Sequence, residues 1–465
     1  MTELPAGWAA ARLEEVAGWS SGGTPKAGTS EYYGGLVPWA IIGDLNDGRV
    51  STTGSTITEA GLANSSSKVV GPGTVLVAMY GSIGKLGIAD VAMATNQAIA
   101  CAVPNELVTR EWLFWWLRFQ RHELLAAGKG GTQANISQTV LKAWPIPLAP
   151  RSEQKRVVAA IEEAFSKLDA GETGLRTARQ LLKRMRDAIL AAAVTGRLVA
   201  QDPTDTPATK LLADLGAETR LGAPLPDGWE WAEVGALLTR IEAGKSFATL
   251  GRPAEADEVG VIKVSAMTWG EFRPDENKAV PSGSTIDPNW VIRAGDLLLS
   301  RANTSEYVGA CVLVGQDHPN LILSDKSLRL VPEPGVSSSW LLHYLRSATA
   351  RSQIEALATG TKQSMHNISQ AKLRSILIAL PPTDEQSRIV TEIERQISFL
   401  EACERAVDAG LARAAAMRRS VLKAAFEGQL VPQHPCDGPA SVLLDRIRTE
   451  RAATPKAARR SRRTA

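Results

Sequence analysis

Four cysteines in 465 residues, at Cys101, Cys311, Cys403 and Cys436, leave no C-x-x-C pair and no disulfide framework. A reduced, cytoplasmic protein with incidental thiols is expected. No run of eighteen apolar residues is present, nor a basic leader followed by an apolar stretch, so neither a membrane span nor a signal peptide is expected. Five histidines (His122, His318, His343, His366, His434) show no metal-ligand spacing. His343 reads as packed or at a helix rim, and proline-rich flanks account for His434. The net charge of +3 gives no overall basic excess. A local basic face can nonetheless bind nucleic acid while acidic helices elsewhere cancel the total. With 44% hydrophobic and 22% charged residues, the composition is that of a globular protein of about two to four domains.

What the chain does have is a duplication. Leu4-Pro5-Ala6-Gly7-Trp8 recurs 221 positions later as Leu225-Pro226-Asp227-Gly228-Trp229. Ser152-Glu153-Gln154-Lys155-Arg156 recurs 232 positions later as Asp384-Glu385-Gln386-Ser387-Arg388, and that offset holds from Asn135/Asn367 to Leu212/Leu444. Each half is therefore a variable block followed by a shared block. A duplicated chain suits a two-part target, and duplex DNA is the commonest such target.

The variable blocks, 8–147 and 229–380, read as β-rich. Gly71-Pro72-Gly73 feeds the apolar run Thr74 to Met79, and Gln97 to Val103 is stopped by Pro104. Trp112, Trp115, Trp116 and Phe119 recur at helical spacing and favour core packing over a base-stacking platform. Trp340 to Leu345 takes the equivalent place. Leu4, Trp8, Leu225 and Trp229 read as packing anchors where each block meets a helix.

The shared blocks are helical. Ile161, Leu168, Leu175, Leu182 and Ile189 lie seven apart, and Ile393, Leu400, Val407, Ala414 and Val421 answer them. Such a sustained heptad predicts a coiled-coil seam, with helix cores of a bundle as the alternative. A weaker secondary seam runs through Val157, Ala164, Gly171, Ala178 and Met185, against Ile389, Gln396, Cys403, Gly410 and Met417. Gly171 and Gly174 allow a break or a close helix approach. Ser152 and Thr383 mark the helix starts, and Gly196 and Gly428 the ends. At 1.5 Å per residue a helix over 153–194 reaches about 63 Å, or about 18 base pairs at about 3.4 Å each. The tail from Lys456 to Arg463 is basic and expected to be disordered.

Segments that mimic catalytic motifs fail on their own chemistry. Gly81-Ser82-Ile83-Gly84-Lys85 has Met79 and Leu86 where a phosphate-binding loop needs a glycine and a hydroxyl. Gly244-Lys245-Ser246 has Thr239 in place of the first glycine. Pro274-Asp275-Glu276-Asn277-Lys278 sets its acids side by side, whereas a metal nuclease needs them on separate strands; a surface turn is expected. No N-P-P-[YF] segment is present to hold a flipped adenine.

Several elements recur in order. They are L-P-x-G-W, the Gly81–Lys85 turn, Gly131-Thr132 before Asn135-Ile136-Ser137, Pro145 to Gln154, and then a long helix. In the second half Gly360-Thr361 precedes Asn367-Ile368-Ser369, and Leu380 to Gln386 leads into the helix. This set resembles the specificity subunit of Type I restriction–modification systems, over the whole chain except the tail. The second half departs from the pattern by having Ser300-Arg301-Ala302-Asn303-Thr304 in place of the glycine turn.

The resemblance implies an α+β fold in which two β-rich target recognition domains are joined by two long antiparallel coiled-coil helices, with an internal pseudo-twofold duplication. It implies recognition domains at 1–150 and 221–381, helical spacers at 151–220 and 382–448, and a basic tail at 449–465. It further implies a non-catalytic subunit that reads one half of a split site in double-stranded DNA with each domain. Two methyltransferase subunits and restriction/translocase subunits are the implied partners, and S-adenosylmethionine, ATP and Mg²⁺ would be held by those partners. No membrane partner is expected. A stand-alone DNA-binding scaffold or regulator is the alternative, and an unfamiliar nuclease a third.

Base readout uses Arg, Lys, Asn and Gln on loops, while phosphate contacts supply affinity. The candidate contacts are Lys85, Lys129 and Gln133 in the first block and Arg301, Asn303, Lys362 and Gln363 in the second, each weighed against an ordinary solvated loop residue. Charged residues flanking the seam (Glu162, Glu163, Lys167, Arg179, Lys183, Arg184, Arg186) are expected to face water or partner subunits.

Overall fold

The computed structural model describes residues 4–128, 134–362 and 365–453. It divides into two compact units, one formed by Met1–Leu175 with Ala409–Ala465 and the other by Arg176–Asp408. Each unit holds one recognition block and an arm of each long helix.

In the first unit a five-stranded sheet runs in the order Ala17–Ser21, Ile99–Pro104, Val75–Ala78, Leu86–Ala89, Gly48–Val50. All four residues of Val75–Ala78 are buried because both faces of the sheet are covered. The alternation of side chains sorts them. Val75, Val77, Ala100 and Ala102 pack under the aromatic helix Arg110–Phe119, while Leu76, Ala78, Ile99 and Cys101 pack on the other face with Ala40, Val70 and Met93. The ends of the block are tied together by Ala9–Arg12 pairing antiparallel with Pro145–Leu148. Trp112 and Trp116 donate their indole N–H groups to the carbonyls of Pro147 and Pro145, at 3.0 and 2.9 Å. Both rings are thus core, with their one polar atom satisfied.

The second unit repeats this plan. Its main sheet has the order Leu238–Ala243, Ser327–Pro332, Leu297–Ser300, Cys311–Leu313, and Glu230–Glu233 pairs with Leu377–Leu380. The helix Ser338–Arg346 takes the aromatic helix's place, with Trp340 and Tyr344 fully buried.

The long helices are Arg151–Val194 and Thr383–Phe426, 44 residues each. Within each unit the beginning of one lies against the end of the other, so the two run antiparallel. In the first unit Val157, Ile161 and Phe165 meet Leu422, Ala425 and Phe426, and Arg418 pairs with Asp169 at 2.6 Å and Glu172 at 3.1 Å. In the second, Ile393, Leu400 and Val407 on one helix and Leu182 and Ile189 on the other are each buried, and Arg186 pairs with Glu404. Of the remaining heptad residues Ala414 is buried, whereas Leu168, Leu175 and Val421 are half-buried.

The secondary seam is not continuous: Met185 and Met417 are exposed. Gly171 and Gly174 neither break the helix nor admit a neighbour, since a Cβ at either would meet nothing within 4 Å. The close approach falls at Gly410, where a Cβ would come within 3.0 Å of Leu175. The final helix, Ala440–Ala453, runs several residues into the segment expected as a disordered tail; residues 454–465 lie outside the described residues.

The recurring motifs are joints. In each unit Leu-Pro-x-Gly-Trp makes a tight turn, with Gly7 and Gly228 in the left-handed region at φ +76° and +78°. Pro5 sits on Gly428 and Pro226 on Gly196, so closely that a Cβ on either glycine would lie 2.4 Å from the ring. Trp8 then meets Trp112 edge-on at 5.5 Å, and Trp229 meets Trp340 at 5.7 Å. The glutamine of the Glu-Gln pair accounts for its own recurrence. Gln154, fully buried, accepts from the Thr109 N–H and donates to the Leu107 and Ala149 carbonyls. Gln386 accepts from the Ser337 N–H and donates to the Pro381 carbonyl. Each glutamine thus caps the start of its unit's aromatic helix from the first turn of a long helix.

Candidate nucleic-acid interface

Three chain segments meet at one edge of each recognition block, and the same two hydrogen bonds join them in both copies. In the first unit the Met79 N–H donates to the Ala98 carbonyl at 2.8 Å, and the Met79 carbonyl accepts from Ile136 N–H at 2.9 Å. In the second the Arg301 N–H donates to the Lys326 carbonyl at 3.0 Å, and the Arg301 carbonyl accepts from Ile368 N–H at 2.9 Å. The sequence candidates Arg301 and Asn303 are thereby brought beside the chain leading into Asn-Ile-Ser, as the pairs Ala302↔Asn367 and Asn303↔His366 also show, whereas in the first unit it is Tyr80 that bridges to Asn135 and Lys85 that turns back to Ala78.

The first-copy turn is held rigidly. Ile83 is buried, Gly84 adopts φ +75°, and Arg121 donates to the Gly84 carbonyl at 2.8 Å while pairing with Asp47. That pairing holds the Asp47 carboxyl below its usual range even though burial opposes the shift. Lys85 is half-buried and its Nζ donates to the Ile42 carbonyl at 3.3 Å. Asn303 is committed at both ends, its Oδ1 accepting from Thr304 N–H and its Nδ2 donating to Thr268 Oγ1 at 3.4 Å. Arg301 is half-buried at the joining point itself. Lys129, Gln133 and Gln363 lie outside the described residues; Lys362 pairs through its backbone with Met365 near the tip of a hairpin.

The same edge carries exposed polar residues that the sequence did not single out. Gln97 and Tyr80 are exposed in the first unit, and Lys245 and Lys326 in the second. Lys245 bridges to Ser324, and the preceding Gly244 approaches the Leu323 carbonyl so closely that a Cβ would lie 1.9 Å away. Gly22 makes the equivalent approach to Thr95, also at 1.9 Å. The glycine in Gly244-Lys245-Ser246 therefore serves backbone contact, and not a phosphate cradle. Elsewhere, Glu276 pairs with Lys263 at 2.6 Å and accepts from Ser265; Pro274–Glu276 is a turn, but the segment expected to be a surface turn runs on into the strand Asn277–Ala279, where Asn277 is buried. Among the described residues no group of three or more His, Cys, Asp and Glu side chains is placed to hold a metal ion. No described helix is long and apolar enough to cross a membrane.

Residues 5–178 match the family model of the Type I restriction modification DNA specificity domain. The whole chain aligns with the Type I restriction enzyme EcoKI specificity subunit of Escherichia coli K12, at 24% identity over 97% of each chain. The chain is thus similar, over both of its halves, to Type I restriction–modification specificity subunits. The EcoEI specificity subunit of E. coli is 28% identical over 346 residues, an alignment that spans 61% of this chain and 58% of that subunit. The fold agrees with a chain from a solved Type I R-M system (TM-score 0.67, 21% identity, 92% of this chain and 100% of that one). It also agrees with the HsdS subunit from Thermoanaerobacter tengcongensis (TM-score 0.53, 19% identity, 92% and 98%). The α+β architecture of two β-rich blocks and two long antiparallel helices is as expected. The two joined edges are the place where the copies keep one backbone frame and change the side chains on it.

Proposed function

We propose that this chain is the sequence-reading subunit of a Type I complex, with each recognition block reading one half of a split site in double-stranded DNA. The observation that carries the reading is the duplicated edge. The same two hydrogen bonds join Met79 to Ala98 and Ile136 in one copy and Arg301 to Lys326 and Ile368 in the other. A constant frame with changed donors and acceptors is what two different base targets require. Lys245, Arg301 and Lys326 give the second edge a local basic character despite the small net charge of the chain. The helices dock two methyltransferase subunits and the restriction/translocase subunits, and those partners supply S-adenosylmethionine, ATP and Mg²⁺ chemistry. The chain itself makes no covalent change.

Genome-wide mapping of methylated adenine tests this reading. Deleting the chain is expected to abolish methylation of one split motif with a fixed gap. Gln97→Ala is expected to relax or weaken one half of that motif only, and Lys326→Ala the other half only. A lost base contact of about 1–3 kcal/mol corresponds to roughly 5- to 150-fold. Unchanged methylation after deletion would replace this reading with that of a stand-alone DNA-binding scaffold.

A further inference from the structure

The two recognition edges share a four-residue turn whose frame is constant and whose two middle residues are not. In the first unit the Ile99 N–H donates to the Asn96 carbonyl at 3.3 Å, and in the second the Ser327 N–H donates to the Ser324 carbonyl at 3.2 Å. The copies align here with an offset of 228 (325 − 97), so the middle pairs are Gln97-Ala98 and Asp325-Lys326. The third residue of each turn, Ala98 or Lys326, is the one whose carbonyl accepts from Met79 or Arg301. Each turn is also locked from inside. Asn96 Oδ1 accepts from Ala98 N–H at 3.1 Å, while Ser327 Oγ accepts from Ser324 N–H at 2.7 Å and donates to the Ser324 carbonyl at 3.1 Å. Gln97, Asp325 and Lys326 are exposed, and Ala98 is half-buried. A rigid turn thus holds out one pair of side chains in each block.

The carboxylate is the informative member. Asp325 shares its edge with Lys245, Arg301 and Lys326, yet among the described residues neither it nor Lys326 forms an ion pair or a side-chain hydrogen bond. A free carboxylate on an edge that meets DNA is repelled by the phosphates and weakens binding. Its possible gain there is an exocyclic amino group, because an ionised carboxylate only accepts hydrogen bonds. In the major groove cytosine shows an amino donor at N4, and the guanine paired with it shows the O6 and N7 acceptors that suit a lysine. Asp325 and Lys326 side by side therefore match the two halves of a C·G pair. An A·T pair serves them less well: the adenine amino group lies beside the N7 acceptor, which repels a carboxylate, and thymine offers lysine a single acceptor. In the first block Gln97 Oε1 accepts from Thr24 Oγ1, which orients the amide and leaves a second lone pair and both Nε2 hydrogens to use. A carboxamide so presented matches adenine, whose N6 donates and N7 accepts, and the Ala98 methyl matches that of thymine.

We propose that this turn reads one base pair in each half-site, an A·T pair through Gln97 and Ala98 and a C·G pair through Asp325 and Lys326. The inference rests on the DNA reading above and adds which pair each block selects. Lys245 and Arg301 serve the phosphates, so Asp325 lowers overall affinity while it raises discrimination.

The test maps methylated adenine in hosts whose only copy of the chain is the wild type, Asp325→Asn, or one of two exchange variants, Gln97→Asp/Ala98→Lys and Asp325→Gln/Lys326→Ala. In the wild type one half of the split motif is expected to hold an obligatory C·G pair and the other an obligatory A·T pair. Asp325→Asn is expected to relax the C·G position alone, with at least about tenfold less preference for that pair. The first exchange is expected to turn the A·T position into C·G and the second to turn C·G into A·T, every other position being kept. A second readout is gel-shift titration of the full-length wild type and Asp325→Asn with a duplex that lacks the motif, where the variant is expected to bind more tightly because a negative charge has gone. Methylation unchanged by deleting the chain overturns both this inference and the DNA reading. A split motif that disappears on deletion but is the same in all three variants overturns this inference alone. So does relaxation at a position that is not C·G, or loss of the whole motif in Asp325→Asn with the motif-free duplex bound no more tightly.

Discussion

His343 makes the stability of the second unit dependent on pH in a window where few other groups titrate. Its imidazole is pulled down from 6.5 to about 4, first by burial and then by the Arg346 charge. The cleft walls facing it carry Arg186, Glu394 and Glu401 from the long helices, with Glu306 and Arg351 from the recognition block. Because the folded value lies below the unfolded one, the unfolded chain takes up the proton first as pH falls. The contribution is fully present above about pH 6.5, declines below it, and is exhausted near pH 4. A gap of that size corresponds to about 3 kcal/mol, of which about 2.5 kcal/mol is gone by pH 4.5. The carboxylates held near 2 by ion pairs and hydrogen bonds, Glu258, Glu392 and Asp437, lose their contributions at lower pH. The comparison that isolates the effect is wild type against His343→Gln, by hydrogen exchange of the slowest amides in Ser338–Arg346 at pH 7.5 and 4.5. The wild type is expected to lose about 2.5 kcal/mol more protection than the variant over that interval. Parallel loss in the two proteins would refute the assignment of a neutral buried imidazole.

Two further outcomes follow from the packing. Gln154→Ala removes three hydrogen bonds and leaves the Thr109 N–H and two carbonyls unpaired in a buried corner, so a loss of about 3 kcal/mol is expected in urea unfolding; a loss under about 1 kcal/mol would show that water replaces the side chain. Leu400→Asp puts a charge at a position 1% exposed, and gel-shift titration with the mapped split site is expected to show DNA binding lost along with the folded helices. Unchanged affinity would show that the seam does not support the recognition blocks.

The duplication, the long helices and the aromatic helices were legible because they rest on local periodicity and on internal repetition. Ile161, Ile393 and Leu400 are buried where the heptad put them, and Trp112 is core as its spacing implied. The fading of the secondary seam at Met185 and Met417 was not legible, because helical spacing states which residues share a face and not how far the partner covers it. Gln97, Lys245 and Lys326 escaped notice for a different reason. They reach the recognition edge through strand pairings between segments far apart in sequence, and no short-range pattern encodes those. One signal was available: Gly22 and Gly244 occupy the same place in the two copies, and a glycine kept where the neighbours change marks a close backbone approach.

The two units differ in how early their parts become available as the chain is made. The second is a single stretch, Arg176–Asp408, and has all its residues once Asp408 has emerged. The first must wait for Leu422, Ala425 and Phe426, which complete the cluster begun by Trp8, Trp112 and Trp116. At roughly 5–20 residues per second, the synthesis separating Pro150 from Phe426 takes about 15 to 55 s. During that interval the indoles of the first block lack the phenyl ring that lies 5.0 Å from both Trp112 and Trp116 in the finished protein. The half of the protein that is synthesised first is therefore completed last, and nascent-chain quality control meets it with its aromatic surface still open.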